Sequence, residues 1–340
     1  MDSVDIDGMN AELTNLGPGC SVPKPATPRA EEEIMSGWSS DVDTPLVSIV
    51  CHSFNHINFI KDALNGFLMQ ATSFPFEIVV HDDASQDGTK EVIQQYAINY
   101  PNIIRPIFQV KNIYSRGERP PMYSFPAAKG KYIALCEGDD YWIDEEKLQK
   151  QVSFLEANSD YALCYTDSMP FKNQVVIDFD FGGARRDLAS VELKKAPSIF
   201  TLTVCFRNVL DVPPEWGLVK YGDKFIWSRL GFFGKGKYLD DIKPSMYRVH
   251  DGGLHSLSSR KKRHLMNFFT YSAMASYYER IGEDYLFAFF LKKAKGQVYN
   301  LDSLNPKFIP LVALLSFFYA SAVKIFKKMK RAFVNFRKGL

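Results

Sequence analysis

Along the middle of the chain, short apolar runs closed by polar clusters alternate with amphipathic stretches. Three runs have strand length and are rich in β-branched or aromatic residues: Leu46-Val47-Ser48-Ile49-Val50-Cys51, Phe76-Glu77-Ile78-Val79-Val80 and Tyr132-Ile133-Ala134-Leu135-Cys136. They end in His52-Ser53-Phe54-Asn55, His81-Asp82-Asp83 and Glu137-Gly138-Asp139-Asp140. Residues 57–70 and 89–100 read as helices. A further helix after Asp144, its cap, places Leu148, Val152 and Leu155 on one face. Strands are expected over 161–166 and 200–207, and an aromatic-rich helical stretch over 260–295, interrupted near Gly282. Residues 1–43 mix Gly, Pro, Ser, Asp and Glu without periodicity and read as a mobile leader. The alternation predicts βαβ units, a mainly parallel sheet and helices on both faces. The ligand crevice of such a sheet lies beyond the carboxyl ends of its strands, so the three polar clusters are expected on one rim.

The chain has 340 residues, 46% apolar and 24% charged, with 21 Gly and 18 Pro. This composition excludes a collagen, a disulfide-stapled miniprotein and a wholly disordered chain. The length suffices for one large α/β domain or two smaller ones. The net charge of +2 is unevenly spread: from Ser303 onward there are eight Lys or Arg and no acid, which leaves residues 1–302 at −6. A basic tail on a mildly acidic body points the tail toward an anionic surface and the body away from nucleic acid. Met1-Asp2-Ser3-Val4-Asp5 begins no apolar run, so a secretory signal is not expected. Cys20, Cys51, Cys136, Cys164 and Cys205 show no metal-ligand spacing and read as reduced, mostly buried thiols of a cytosol-facing protein.

Asp82-Asp83 and Asp139-Asp140 close two of the strands and bring four acids to one crevice. Such carboxylates do not stay ionised together without a cation or hydrogen-bond donors nearby. A hard divalent ion with oxygen ligands resolves the repulsion and invites a phosphate-bearing ligand. Taken singly, each pair fits a turn or helix cap better; on successive strand ends the two together favour a site. Phe54 is placed either to stack on a base or to fill the core. Neither GxGxxG nor GxxxxGK[ST] follows the first strand, which disfavours a dinucleotide dehydrogenase or a P-loop nucleotidase.

Pro45-Leu46-Val47-Ser48-Ile49-Val50 with Phe54-Asn55, then Asp82-Asp83-Ala84-Ser85-Gln86-Asp87-Gly88-Thr89, then Lys129-Gly130-Lys131-Tyr132 through Glu137-Gly138-Asp139-Asp140-Tyr141-Trp142, resemble in order the motifs of the family 2 glycosyltransferases. The resemblance spans about residues 46–255 and is strongest to bacterial enzymes of capsule, lipopolysaccharide or exopolysaccharide synthesis. It implies the GT-A fold, an α/β Rossmann-like mixed and mainly parallel sheet flanked by helices, with inversion at the anomeric centre and a divalent metal, Mn²⁺ or Mg²⁺. It places Phe54 beside the nucleotide base, Asp83 on the base edge, Asp139 near the ribose and Asp140 on the metal. Glu137 stands where the family's DxD motif begins with Asp. Gly222-Asp223-Lys224-Phe225-Ile226-Trp227 resembles the segment bearing the catalytic base, which makes Asp223 the candidate. Tyr247-Arg248-Val249-His250 resembles a late loop in which Arg248 meets phosphate and His250 either completes the metal site or touches the diphosphate.

The implied domains are a leader 1–43, a GT-A domain 44–256, a helical extension 257–302 and a basic amphipathic helix 303–340. Residues 308–323 carry no charge. As a helix they span about 24 Å, less than the roughly 30 Å hydrocarbon core, and suit an interfacial helix on anionic lipid. The expected protein is a peripheral enzyme on the cytoplasmic side of the inner membrane. It would move a sugar from a nucleotide-diphosphate donor, expected to be UDP-linked, to a glycan or lipid-linked acceptor hydroxyl. The rivals are a sugar nucleotidyltransferase, whose Gly-rich basic opening is missing, and a non-catalytic nucleotide-sugar-binding membrane module.

Overall fold

A computed structural model describes residues 17–39, 44–251 and 259–302. The chain divides into two compact units, one up to Leu257 and one from Ser258. The first contains α1 (Glu31–Ser36), β1 (Val47–Ser53), α2 (Ile60–Leu68), β2 (Phe76–Asp82), α3 (Thr89–Asn99), β3 (Ile104–Phe108), α4 (Pro121–Ala127), β4 (Tyr132–Leu135), α5 (Lys147–Ala157), β5 (Tyr161–Tyr165), β6 (Ser168–Lys172), β7 (Val175–Val176), α6 (Ser190–Leu193), β8 (Cys205–Arg207), α7 (Gly222–Leu230), β9 (Lys235–Tyr238) and β10 (Ser245–Arg248). The second contains α8 (Arg260–Ile281) and α9 (Asp284–Asp302).

Seven strands form one sheet in the order β3-β2-β1-β4-β8-β5-β9, and β10, β6 and β7 form a second, smaller one. The strands from β3 to β4 are parallel, and β8 runs antiparallel to both of its neighbours. β1 and β2 are buried along almost their whole length, which is why they read as continuous apolar runs. α2 packs Ile60, Ala63, Leu64 and Phe67 into the same cluster as Ile49, Ile78 and Ala134. The register pairs His52 with His81 and Val50 with Leu135, so the ends of β1, β2 and β4 meet at one rim. The expected mainly parallel α/β architecture is what the chain adopts.

Several elements differ from the sequence reading. Residues 200–207 split into a 3-10 turn at Thr201–Thr203 followed by β8. β3 carries Pro106, which an edge strand tolerates and an apolar-pattern reading passes over. The largest correction concerns the leader, whose described part is docked. Gly19 and Val22 donate backbone hydrogen bonds to Val176 and Gln174, so the segment adds itself to the edge at β7. Tyr141 Oη donates to the Pro23 carbonyl at 2.9 Å, and Lys24 pairs with Asp62 at 3.0 Å. The buried Glu31 carboxylate accepts from the backbone N–H groups of Asn102 and Ile103. These bonds replace the apolar periodicity whose absence suggested mobility.

In the second unit, α8 and α9 meet at Gly282, whose φ of 83° is the left-handed conformation expected where the helical pattern breaks. Tyr278 stacks on Phe290 across the hairpin at 5.6 Å, and His264 Nδ1 lies 2.8 Å from Gln297 Oε1. No helix among the described residues is long and apolar enough to cross a membrane. The basic segment 303–340 lies outside the described residues.

Lys147 on α5 is fully buried, yet its ammonium is held by Gln151 Oε1 and the Thr203 carbonyl, each at 2.9 Å. Burial lowers its pKa from 10.5 to about 8. Between those values the unfolded chain keeps a proton that the folded one has released, so stability rises with pH across this window. Urea unfolding of wild type and Lys147→Met from pH 7 to 10.5 is expected to show wild type gaining about 3 kcal/mol relative to the variant, at 1.36 kcal/mol per unit. A difference independent of pH would contradict the buried, charged Lys147.

Candidate active site

Two loops build one side of the rim. Asn55, in the left-handed conformation at φ 55°, accepts a hydrogen bond on Oδ1 from Gln86 N and donates its own N–H to Ser85 Oγ. His56 N donates to Thr89 Oγ1, and Ile57 N donates to Asp87 Oδ2. The segment after β1 is therefore fastened to residues 85–89, and Phe54 stands out of it at 44% exposure. Asp82 accepts from Ser85 N and Oγ. Asp83, 3% exposed, accepts from Ile113 N at 2.6 Å and Tyr114 N at 3.1 Å. This first acidic pair is thus satisfied by Ser85 and by backbone donors of the segment after β3. Below the rim, His52 Nε2 lies 2.9 Å from Ser124 Oγ, and burial holds its pKa down at about 3.

The second acidic cluster is arranged differently. Asp139 Oδ2 lies 3.0 Å from His250 Nε2 and 3.8 Å from His56 Nε2. Burial disfavours its charge, but the His250 hydrogen bond and the nearby His56 outweigh this and hold its pKa below the usual carboxylate value. Asp140 is buried, and its Oδ1 accepts the backbone N–H of Arg248 at 2.7 Å. Burial, then the charges of Asp139 and Glu137, push its pKa well up. Glu137 is pushed to about 8 by burial and by Asp139, with Asp223 adding to the effect.

Arg248 faces inward. Its guanidinium sits 4.7 Å from the Phe59 and Phe171 ring centroids and 5.4 Å from that of Tyr141. Nε donates to the Asp139 carbonyl at 2.7 Å, and Nη2 donates to Asp62 Oδ2 at 2.8 Å. The resemblance implied a phosphate partner for Arg248; the fold commits these donors to the protein, because the two sheets close around them. Asp62 and His56 carried no signal in the sequence beyond lying in and before a helical stretch. Asp223 lies in the first turn of α7, where a carboxylate also suits the helix dipole. Its charge adds to burial and Asp139 in raising the pKa of Glu137.

Among the described residues no three acid, histidine or cysteine side chains converge tightly enough to hold a metal unaided. A carboxylate with an adjacent imidazole, leaving other positions to diphosphate oxygens, nevertheless fits a cation such as Mn²⁺. His56 Nδ1 is buried with no hydrogen-bond partner beside this pair, and the mutual repulsion of the acids favours positive charge there.

Residues 48–173 match the model of glycosyl transferase family 2. That segment is similar to this family, and the mixed, mainly parallel sheet with its flanking helices is the GT-A fold. It is 39% identical over 223 residues to the uncharacterized protein Rv1520 of Mycobacterium tuberculosis, covering 64% of this chain and 63% of that protein. The chain therefore spans just under two thirds of that relative's length. It is 32% identical over 112 residues to WfaP of Escherichia coli, the UDP-Glc:alpha-D-GlcNAc-diphosphoundecaprenol beta-1,3-glucosyltransferase, covering 33% of this chain and 41% of that one. Staphylococcus aureus TarS 1–349, solved in complex with UDP-GlcNAc, shares the fold at a TM-score of 0.53 and 17% identity, over 76% of this chain and 75% of that one.

Removing Asp62 strands the guanidinium of Arg248 among aromatic rings. Asp62→Ala is expected to lower stability by about 3 kcal/mol, the low end for breaking a buried pair because Asp62 retains some solvent contact. Denaturant unfolding measures it, and a loss below about 1 kcal/mol would assign the pair the weight of a surface bridge.

Proposed function

We propose that the protein is an inverting glycosyltransferase that moves a sugar from a UDP-linked donor, with a divalent cation on the diphosphate, to an acceptor hydroxyl of a glycan or lipid-linked intermediate in surface polysaccharide synthesis. The observation that supports this reading is the Asp139–His250 pair at the sheet rim, beside Glu137, whose pKa the charge of Asp223 helps to raise. Asp139 and His250 would hold the cation. This moves it from Asp140, whose carboxylate serves Arg248, to the neighbouring acid that faces two imidazoles. A WfaP-like donor and acceptor suit this reading, since that relative's name specifies UDP-glucose and a diphosphate-linked lipid. The basic segment 303–340 would bring the enzyme to the cytoplasmic membrane face where such acceptors lie.

In the reaction, Asp223 accepts the proton of the acceptor hydroxyl as that oxygen attacks the anomeric carbon from the face opposite the diphosphate. The anomeric carbon–oxygen bond to phosphate breaks in the same displacement, and no covalent sugar–enzyme intermediate forms. When bound, the cation neutralises the charge gathering on the departing diphosphate. Phe54 and the loop held by Asp83 bound the nucleotide side, and the fixed loops orient the donor before reaction.

The overall reading is tested by product analysis with UDP-glucose, UDP-N-acetylglucosamine, UDP-galactose and GDP-mannose, with and without Mn²⁺. Transfer or hydrolysis of a UDP-sugar is expected, and no turnover with any of the four would reject it. Calorimetry of UDP with Mn²⁺ separates the two candidate ligands: Asp139→Ala is expected to weaken binding at least about tenfold, or 1.4 kcal/mol. Unchanged affinity in Asp139→Ala, with loss in Asp140→Ala, would return the cation to Asp140. Asp223→Asn is expected to cut kcat by about 10²–10⁴-fold with donor affinity near wild type, because the isosteric amide accepts no proton. Retention of more than about a tenth of wild-type turnover would place the base elsewhere.

A further inference from the structure

Arg119, which no motif marks, spans the gap between the nucleotide-side loop and the start of α7. Its Nε donates to the carbonyl of Val219 at 2.7 Å, across a hundred residues of chain. Its Nη1 donates to the Glu118 carbonyl at 2.8 Å, and the guanidinium lies 4.5 Å from the centroid of the Tyr114 ring. Tyr114 is itself fixed, because its N–H and that of Ile113 donate to Asp83. Arg119 is 4% exposed, and its Nη2 is buried without a hydrogen-bond partner. Leaving a buried donor unmade costs about 1–3 kcal/mol, so this cation sits there at an expense to the fold.

Val219 is four residues before Asp223. The segment between them is also held from the other side. Val219 N donates to the Trp216 carbonyl, and a Cβ on Gly222 would lie 2.9 Å from the Trp216 ring, so α7 begins pressed against that indole. Trp216 in turn packs edge-on against Phe225 at 5.4 Å and Phe125 at 6.3 Å. The start of α7 is therefore clamped between an aromatic floor and one charged strut. The strut runs back through Tyr114 to Asp83.

We propose that Arg119 is a positioning residue for Asp223: it ties residues 219–222 to the loop held by Asp83 and so fixes where the base meets the acceptor hydroxyl. This rests on Asp223 being the base. A proton acceptor displaced by about 1 Å loses on the order of 10²-fold in rate, so a strut on the segment leading into α7 acts on turnover more than on donor binding. Lysine does not replace it, because an ammonium lacks both the planar face that lies over Tyr114 and the fixed Nε–H direction toward Val219.

The test uses the full chain carrying Arg119→Lys, Arg119→Met, Asp223→Asn and the Arg119→Lys/Asp223→Asn pair. Backbone hydrogen exchange over residues 217–224 is expected to quicken in both Arg119 variants, while β1 and β2 stay protected. With the panel's fastest UDP-sugar, kcat of Arg119→Lys should fall at least about tenfold, with UDP affinity in Mn²⁺ changed less than about threefold. In the Asp223→Asn background the same substitution should remove little more, since a residue acting through Asp223 has nothing left to position. Turnover of Arg119→Lys within about twofold of wild type overturns the proposal, as does unchanged exchange at 217–224. An equal fractional loss in both backgrounds overturns it too, because that marks general destabilisation. Should Arg119→Met fail to fold, Arg119→Lys, which keeps the charge, carries the same decisions. Wild-type turnover in Asp223→Asn would defeat the base assignment itself, a result separate from the exchange readout of the strut.

Discussion

The acidic rim depends on one buried cation. Arg248 ends β10 of the small sheet, yet its Nε holds the Asp139 carbonyl and its backbone N–H holds the Asp140 carboxylate at the end of β4 in the large one. Enclosed by Phe59, Tyr141 and Phe171, the guanidinium is paired by Asp62, which also receives Lys24 from the N-terminal segment. A charge taken so far out of water is tolerable only when its donors are met, and each partner here is part of a different element. The two sheets, α2 and the leader are consequently joined at the point where the acids must be held in place.

The four acids noted at the strand ends show two solutions to the same repulsion. Asp82 is absorbed by Ser85, the local turn role that short Asp pairs commonly take, and Asp83 by the N–H groups of Ile113 and Tyr114 after β3. Asp139 and Asp140 are pressed together with Glu137 in a poorly solvated corner, where burial and mutual charge raise Glu137 and Asp140 while histidines keep Asp139 low. Only the second arrangement leaves crowded acids whose ionisation burial and mutual repulsion disfavour. That crowding is the physical reason for proposing the cation at this corner.

The apolar runs of β1, β2 and β4, the polar clusters that close them and the break at Gly282 were all legible from residue pattern, because burial on both sheet faces and a left-handed turn restrict composition locally. The motif order was specific enough to name the family. Less legible were β3, whose Pro106 interrupts the pattern, and β7, β9 and β10, which have only two to four residues each. The leader was misread for a related reason. Its attachments at Glu31, Lys24 and Pro23 are single polar contacts to residues far along the chain, and such contacts leave no periodicity.

The sequence by itself determined that β1, β2 and β4 form, that their polar ends share a rim, and that carboxylates gather there, since these follow from hydrophobic period and parallel topology. Tertiary structure alone decided which of two adjacent acids faces His250. Asp139 and Asp140 differ by one residue, and the backbone turn after β4 sends one carboxylate toward two imidazoles and the other toward the N–H of Arg248. It also decided that Arg248 is spent inside the fold and that Arg119 reaches Val219. Side-chain direction and long-range pairing depend on how separate elements close on one another, and no local window of sequence contains that closure.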